Sequence, residues 1–421
     1  MTALFRPFFG WRVVGAAFVL AVFAWGISFY GPPVFLQVLH ASRGWPVSVV
    51  SGAITAHFLL GAVVVANLAT LHRRFGLVAV TRAGALLTAL GLLGWAFAAA
   101  PWQLYLAAPI SGAGWALTSG AALNAMVAPW FARHRPTALG MAFNGASMGG
   151  VIFSPLWVAL IAGLGFHAAA GLVATVVVGV AWLVSGRYLG RTPAAMGLLP
   201  DGDAAPPQPT IAATALRATG AAPLATPWRD RRFLTLAVAA TLGLMAQIGL
   251  VAHLFSLLVP TLGAGGAGLT MGGATACAIG GRFLLGALMP PGADRRVVAA
   301  VNAGMQAVGS VVLLCAGSSV PLLLLGCALF GLGLGNVTSL PPLIAQVEFR
   351  PTDVARVVAL VTATSQAGYA FAPAAFGLLR DLGATSFSIS EGALLFAAAA
   401  LVQLASGGVI LLGRGPALRS G

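Results

Sequence analysis

The chain has 421 residues, of which 59% are hydrophobic and 7% charged, with a mean hydropathy of +0.96; ordinary soluble domains are about 25% charged. That contrast excludes a soluble enzyme, and at about 20 residues per spanning helix the apolar content is enough for about twelve crossings. The formal charge of +14 is carried by arginine alone, since lysine is absent, and membrane topology has to be tested before nucleic acid is invoked. Apolar runs such as 86–100 and 311–330 lack the alternation of a transmembrane barrel, so the spans read as helices.

Taken in chain order, apolar runs between Gly, Pro and Arg punctuation predict spans at 11–31, 47–70, 77–99, 103–129, 136–161 and 165–186. The first run follows Arg6 and Arg12 but has no small-residue cleavage site, so it reads as a retained span rather than a secretory signal. A Pro-, Ala- and Thr-rich stretch at 188–230 reads as a flexible cytoplasmic linker. Six further spans follow at 232–258, 267–290, 297–317, 320–346, 354–379 and 392–413. The predicted organisation is a six-helix bundle over 1–187, the linker, and a second six-helix bundle over 231–421. Serine, glycine and proline coincide at Ser147/Ser365, Gly150/Gly368 and Pro155/Pro373, a constant offset that lays the fifth span on the eleventh, as a duplicated unit requires.

Counting arginine tests the topology. With the N-terminus inside, only Arg43 and Arg380 fall outside and Arg282 falls within a span, so the remaining arginines lie on or near the inner side. Both termini are then cytoplasmic, and the positive charge needs no nucleic acid. Trp11, Trp45, Trp102 and Trp130 stand near span ends, as interfacial aromatics do. All eight acidic residues lie at or beyond Asp201. Cys277, Cys315 and Cys327 have neither metal nor redox spacing and read as packing residues.

Arg282, in Gly280-Gly281-Arg282-Phe283-Leu284-Leu285-Gly286, is the one permanently charged residue deep in a predicted span, and its span holds no acid. An arginine at a helix centre costs about 2.5–3.5 kcal/mol on insertion scales, and its planar fork matches a carboxylate. It would hold an anionic substrate, or else cap backbone carbonyls or snorkel to the inner surface. His253 and His57 are candidates for proton coupling, or for interhelical contacts. Tyr30, Asn144, Gln247, Asn336, Gln366 and Tyr369 are further candidates for the substrate pocket or for interhelical bonds. Gly331, Gly333 and Gly335, within a span and after no strand, predict close helix packing rather than a nucleotide loop, as do Gly112, Ala116 and Gly120.

The loop after the fourth span, Trp130-Phe131-Ala132-Arg133-His134-Arg135-Pro136-Thr137-Ala138-Leu139-Gly140, continues through Ala142, Gly145 and Gly149. Basic residues at an interface followed by small residues suit a helix that rocks, so Arg133, Arg135, Gly140, Gly145 and Gly149 are gating candidates. This pattern, together with Gly10-Trp11 at the first span and Arg282 with Gly286 at the eighth, resembles the monocarboxylate porter and oxalate:formate antiporter branch of the major facilitator superfamily. The resemblance implies an all-α fold of twelve transmembrane helices in two pseudo-symmetric halves and an arginine that binds substrate carboxylate. The loop between spans two and three departs from the superfamily's Asp-Arg-x-Gly core. It reads Leu71-His72-Arg73-Arg74-Phe75-Gly76, keeping Arg74 and Gly76 beside Arg73 but no acid. Proton-coupled relatives also carry a first-span lysine and an acid one turn before the arginine; this chain lacks lysine and has Ala278 there.

Near the inner end of span ten, Glu348, Arg350, Asp353 and Arg356 would form an ion-pair gate with Arg133, Arg135 or linker arginines, or else a solvated helix start. These readings converge on a transporter of a small organic anion working by alternating access. It would be proton-coupled or anion-exchanging, monomeric, without cofactor or metal, and set in a bacterial inner membrane, since arginine without lysine suits a GC-rich genome. A drug or neutral-solute exporter and a non-transporting sensor are the rival readings. An intramembrane enzyme would need paired carboxylates, a metal cluster or an activated nucleophile, and none is apparent.

Overall fold

A computed structural model describes residues 8–203, 227–290, 292–386 and 392–414; Arg6, Arg217 and Arg419 lie outside them. The described residues form helices α1 (Phe9–Ser28), α2 (Gly31–Arg43), α3 (Val47–Phe97), α4 (Pro101–Thr118), α5 (Gly120–Val127) and α6 (Arg135–Val184). After the linker come α7 (Arg231–Leu288), α8 (Arg295–Cys315), α9 (Val320–Glu348), α10 (Pro351–Tyr369), α11 (Ala372–Ser386) and α12 (Ala393–Leu412).

Three of these helices are too long for one crossing. α3, α6 and α7 have 51, 50 and 58 residues, or roughly 75–87 Å at 1.5 Å per residue, against a hydrocarbon core of about 30 Å. Each bends at one glycine: Gly76 (φ 78°, ψ 161°), Gly165 (φ 76°, ψ 161°) and Gly263 (φ 68°, ψ 168°). That region is almost closed to residues with a Cβ. The bend is a hairpin, because residues equally far on either side meet the same neighbour. His57 and Trp95, nineteen residues before and after Gly76, both contact the Ser111 hydroxyl, at 2.8 and 3.2 Å. Likewise Gly243 and Arg282 flank Gly263, and meet Val337 and Gly335 on α9. By length and composition alone, seven helical runs among the described residues could cross a membrane, α1 and α2 together forming one of them. Dividing the folded ones at these glycines, and adding the broken pairs α4–α5 and α10–α11, is compatible with twelve crossings, with boundaries close to those expected from the sequence.

The small residues do the packing predicted for them. A Cβ on Gly112 would lie 1.9 Å from the His57 carbonyl, one on Gly331 2.4 Å from that of Ala274, and one on Gly145 2.3 Å from that of Phe18. The apolar cores differ at the two ends. At the arginine-rich end, one cluster contains only residues before 190, including Val13, Leu123 and Phe131, and a separate one contains only residues after 231, including Phe233, Ile344 and Ile410. Toward the opposite end a single cluster joins Phe35, Phe58 and Trp157 to Leu250, Leu254 and Phe376.

The linker departs from expectation. Its first part, up to residue 203, consists of turns docked on the loop before α6; Asp201 N–H donates to the Trp130 carbonyl at 2.9 Å. Residues 204–226 lie outside the described residues.

Candidate functional site

Arg282 stands on the second arm of α7, where Gly281 lets α9 approach until the Leu332 carbonyl occupies the space of a side chain. From there the half-buried guanidinium reaches two neighbours. Nε donates to the Gly335 carbonyl at 3.2 Å, and Nη1 to the Ser147 hydroxyl of α6 at 3.1 Å. These bonds use two of the five N–H groups of a guanidinium, and among the described residues no carboxylate lies within salt-bridge distance of Arg282. Tyr30, between α1 and α2, completes the corner, for a Cβ on Gly150 would lie 2.6 Å from both its ring and the Thr275 methyl.

Arg296, a buried arginine that sequence reasoning did not single out, provides the control. It is 1% exposed. Its Nε and Nη2 form a fork on Glu348 at 2.6 and 2.8 Å, Nη1 donates to Thr235 Oγ1 and the Ile410 carbonyl, and Nη2 also donates to the Arg232 carbonyl. All five N–H groups are occupied. Arg296 therefore fastens α7, α8, α9 and α12, whereas Arg282 retains donor capacity.

The other pocket candidates divide between this corner and elsewhere. Asn144 lies one turn before Ser147 on α6 and is half-buried. Gln247 is buried on the first arm of α7, sixteen residues before Gly263 and so level with the turn preceding Arg282; its Oε1 accepts no hydrogen bond among the described residues. Asn336 is engaged in the packing of α7, α8 and α9, donating to Asn302 Oδ1 at 3.0 Å and to the Leu332 and Gly281 carbonyls. Gln366 lies one turn before Tyr369 on α10, and rings run from Tyr369 to Phe58 (5.6 Å), Phe29 (6.2 Å) and Tyr30 (5.0 Å). Apart from Pro351 and Arg356, the exposed face of α10 carries only Thr352, Ala355, Ala359, Thr362, Ala363 and Ala367. The exposed face of α8 includes Val301, Val308, Val311 and Leu314. The large apolar residues on α8 suit lipid; the small, polar-flecked face of α10 suits water.

Neither histidine is at the corner. His57 is fully buried against Ser111, Phe58 and Trp115. His253, ten residues from the Gly263 bend, lies about 14 Å along the helix axis from the level of Arg282; its Nε2 contacts the Pro373 carbonyl at 3.0 Å. It belongs to a polar cluster toward the end opposite the arginines. There Ser256 Oγ donates to the His253 carbonyl, Arg380 donates to Ser256, the Ser48 amide donates to Asp381 and the Ala374 amide to Thr55. A Cβ on Gly377 would lie 2.0 Å from Ser51 Oγ and 3.4 Å from the His253 ring. This cluster ties the start of α3 to α7 and α11.

At the arginine-rich end the ion pairs differ from the expected ones. Glu348 pairs with Arg296, and Arg133 pairs with Asp203 at 2.5 Å; neither bridges the two halves. Arg135 donates to the Ala128 carbonyl, Arg73 to Thr70, and Arg74 lies 5.2 Å over the Phe75 ring. Asp353 is buried, so a solvated helix start does not describe it; Asp353 and Arg356 both have interaction partners. Arg350 precedes α10, its carbonyl accepting from the Asp353 and Val354 amides. Gly140 has open space around it, while Gly149 packs against the Val22 carbonyl.

Two carboxylates act as anchors here. Burial would raise the carboxyl of Asp201, but the amides of Arg133, Ala132 and His134, at 2.8, 3.0 and 3.2 Å, hold it below the ordinary range. Burial would likewise raise Asp294, but the amides of Arg296 and Val297 and the Arg414 guanidinium lower it.

The chain is 32% identical over 155 residues to monocarboxylate transporter 13 of Bos taurus, a match covering 35% of this chain and about a third (34%) of that relative. Its fold is similar to the nucleoside transporter NupG (TM-score 0.71, 12% identity, covering 97% of this chain and 100% of that one). It is also similar to an inward-facing, unoccupied bacterial homologue of the human lysosomal transporter Spinster (TM-score 0.67, 15% identity, 97% and 96% covered). The sequence profile described as Major Facilitator Superfamily matches residues 14–373. With its all-helical fold and paired hairpins, this multi-pass membrane protein belongs to the Major Facilitator Superfamily.

Proposed function

We propose that the protein carries a small organic anion, a monocarboxylate, across the bacterial inner membrane by alternating access, with Arg282 holding the carboxylate. One observation carries this reading. Buried Arg296 is saturated by a carboxylate and protein oxygens, whereas half-buried Arg282 has three N–H groups without a partner among the described residues, at the contact between α6, α7 and α9. Tyr30, Ser147 and Asn144 would complete the site, with Gln247, Gln366 and Tyr369 across from them. The partial relative, a monocarboxylate transporter by name, supports the same class.

The two bundles, 1–187 and 231–421, would rock about this contact. Separate cores at the arginine-rich end and a shared core toward the other correspond to a state open toward the arginines. The arginine excess would make that end, and both termini, cytoplasmic. The water-compatible face of α10 would line the entry path. His253 would serve the closed end rather than the carboxylate. Proton symport and anion exchange are the two drives to be separated.

The row of rings from Tyr30 to Tyr369 favours a second reading, an exporter of neutral or apolar solutes with a structural Arg282. The test is uptake of a radiolabelled panel of small carboxylates into proteoliposomes, driven either by an imposed pH gradient or by internal anion. Saturable uptake by wild type and its loss in Arg282→Gln is the expected result, and the effective drive identifies the coupling. Carboxylate uptake absent in folded wild type, or unchanged in Arg282→Gln, would move the exporter ahead.

A further inference from the structure

Behind the Arg282 corner, the space between the first arm of α7 and helices α8, α9 and α12 holds a second concentration of polar side chains. It surrounds a cavity of about 40 Å³ whose wall includes Asn302, Gln306, Gln403 and Ser406 among Leu340 and Ile344. Gln306 is 1% exposed, Asn336 4% and Gln403 0%. Some of their bonds are internal. Asn336 donates to Asn302, Asn302 to the Gly333 carbonyl at 3.3 Å, Ser310 to Gln403 Oε1 at 2.9 Å, and Ser406 to the Ala239 carbonyl at 2.8 Å. Three polar atoms remain without a partner among the described residues: Gln306 Nε2, Gln403 Nε2 and Asn336 Oδ1.

An unpaired buried polar atom costs about 1–3 kcal/mol, and three in one region of a low-dielectric bundle need a common explanation. Turning the Gln403 amide over would leave its oxygen unpaired in place of its nitrogen, so the tally does not change. The chemistry of the missing partner follows from the atoms. The two unpaired atoms on residues of the wall, Gln306 Nε2 and Gln403 Nε2, are both donors; with no carboxylate among the named wall residues they do not make a cation site, and among the described residues no group of His, Cys, Asp or Glu could hold a metal ion. A small neutral ligand that accepts from both, as water can, fits. At roughly 10–15 Å³ of such volume per molecule, the cavity has room for about three waters.

We infer that this cavity is a site for a small cluster of bound water, held by Gln306 and Gln403 and linked through Asn302 to Asn336. The cluster binds α8 to α12 and α9 at the depth where Gly335, next to Asn336, accepts from Arg282. It forms part of the rigid backing of that arginine rather than of the substrate path.

Two measurements test it. A structure of the full-length protein at a resolution that shows water is expected to hold ordered density within hydrogen-bond reach of the Gln306 and Gln403 amides; an empty cavity there would overturn the inference. Independently, Gln306→Met keeps approximate volume while deleting an amide whose nitrogen has no protein partner among the described residues. If water fills the cavity, the substitution strips satisfied bonds and lowers the thermal midpoint by several degrees. A midpoint that stays the same or rises would mean that this amide was unpaired in a dry cavity, and the site would not exist.

Discussion

Replacing Glu348 with Gln and, in a separate protein, Arg282 with Gln should produce opposite phenotypes. In Glu348→Gln the guanidinium of Arg296 stays buried, 1% exposed, and keeps its bonds to Thr235, Ile410 and Arg232, but loses its counter-charge. At an effective dielectric of about 20 and a charge separation near 4 Å the lost attraction is about 4 kcal/mol, within the ~3–5 kcal/mol typical of breaking a buried pair from one side. Because Glu348 is 21% exposed, the lower end applies, about 3 kcal/mol, or roughly 5–10 °C in thermal midpoint. In Arg282→Gln two bonds to neutral oxygens are lost, each worth about 1 kcal/mol. This is offset by removing an arginine whose insertion costs about 2.5–3.5 kcal/mol, so the midpoint should stay within about 2 °C. Thermal unfolding in detergent, followed by size-exclusion fluorescence, and carboxylate uptake in proteoliposomes read out both proteins. Glu348→Gln should be thermolabile, and Arg282→Gln stable but inactive. If Arg282→Gln is as labile as Glu348→Gln, Arg282 is a structural residue and the distinction drawn between the two arginines is wrong.

Other expectations follow from individual contacts. With Cys277, Cys315 and Cys327 replaced, Ser51→Cys with Gly377→Cys should cross-link under oxidant and stop uptake until reductant is added, because closure of that end places the two positions in contact; cross-linked protein that still transports would remove the His253 cluster from gating. Gly76→Ala should lower the yield of folded protein, since its backbone lies in a region that costs L-residues about 1–3 kcal/mol. Gly140→Ala, with open space and helical backbone, should be neutral or slightly stabilising; equal yields would contradict the hairpin argument. Asp201→Asn should speed amide hydrogen exchange at residues 132–134 at pH 7. Because the folded carboxyl is held low, its contribution in the wild type is present above the ordinary carboxylate range and lost as pH falls through the lowered value. Exchange that is the same in both proteins at pH 7 would mean that the strap contributes nothing.

Much of the architecture was readable from residue order alone. Apolar length sets the number of helices, because each must hide its own backbone bonds from lipid. The arginine count polarises the two ends, and Arg282 stands out because a charge in mid-span is expensive. Gly76 was legible as part of a loop motif, and the close packing at Gly112, Gly145 and Gly331 follows from runs of small residues. What tertiary structure decided was the partnership of each polar group. Arg296 looks like an ordinary loop arginine until α7, α9 and α12 deliver Thr235, Glu348 and Ile410 from 61, 52 and 114 residues away. His253 looks like a pocket residue until the Gly263 hairpin assigns its depth, and the linker looks free until Asp201 meets three amides of a loop 67–69 residues earlier. The physical reason is the solvent. In lipid both faces of a helix are apolar, so periodicity carries little information on which side faces a partner, and only helix packing determines whether a charge in a span is neutralised or keeps donors unused.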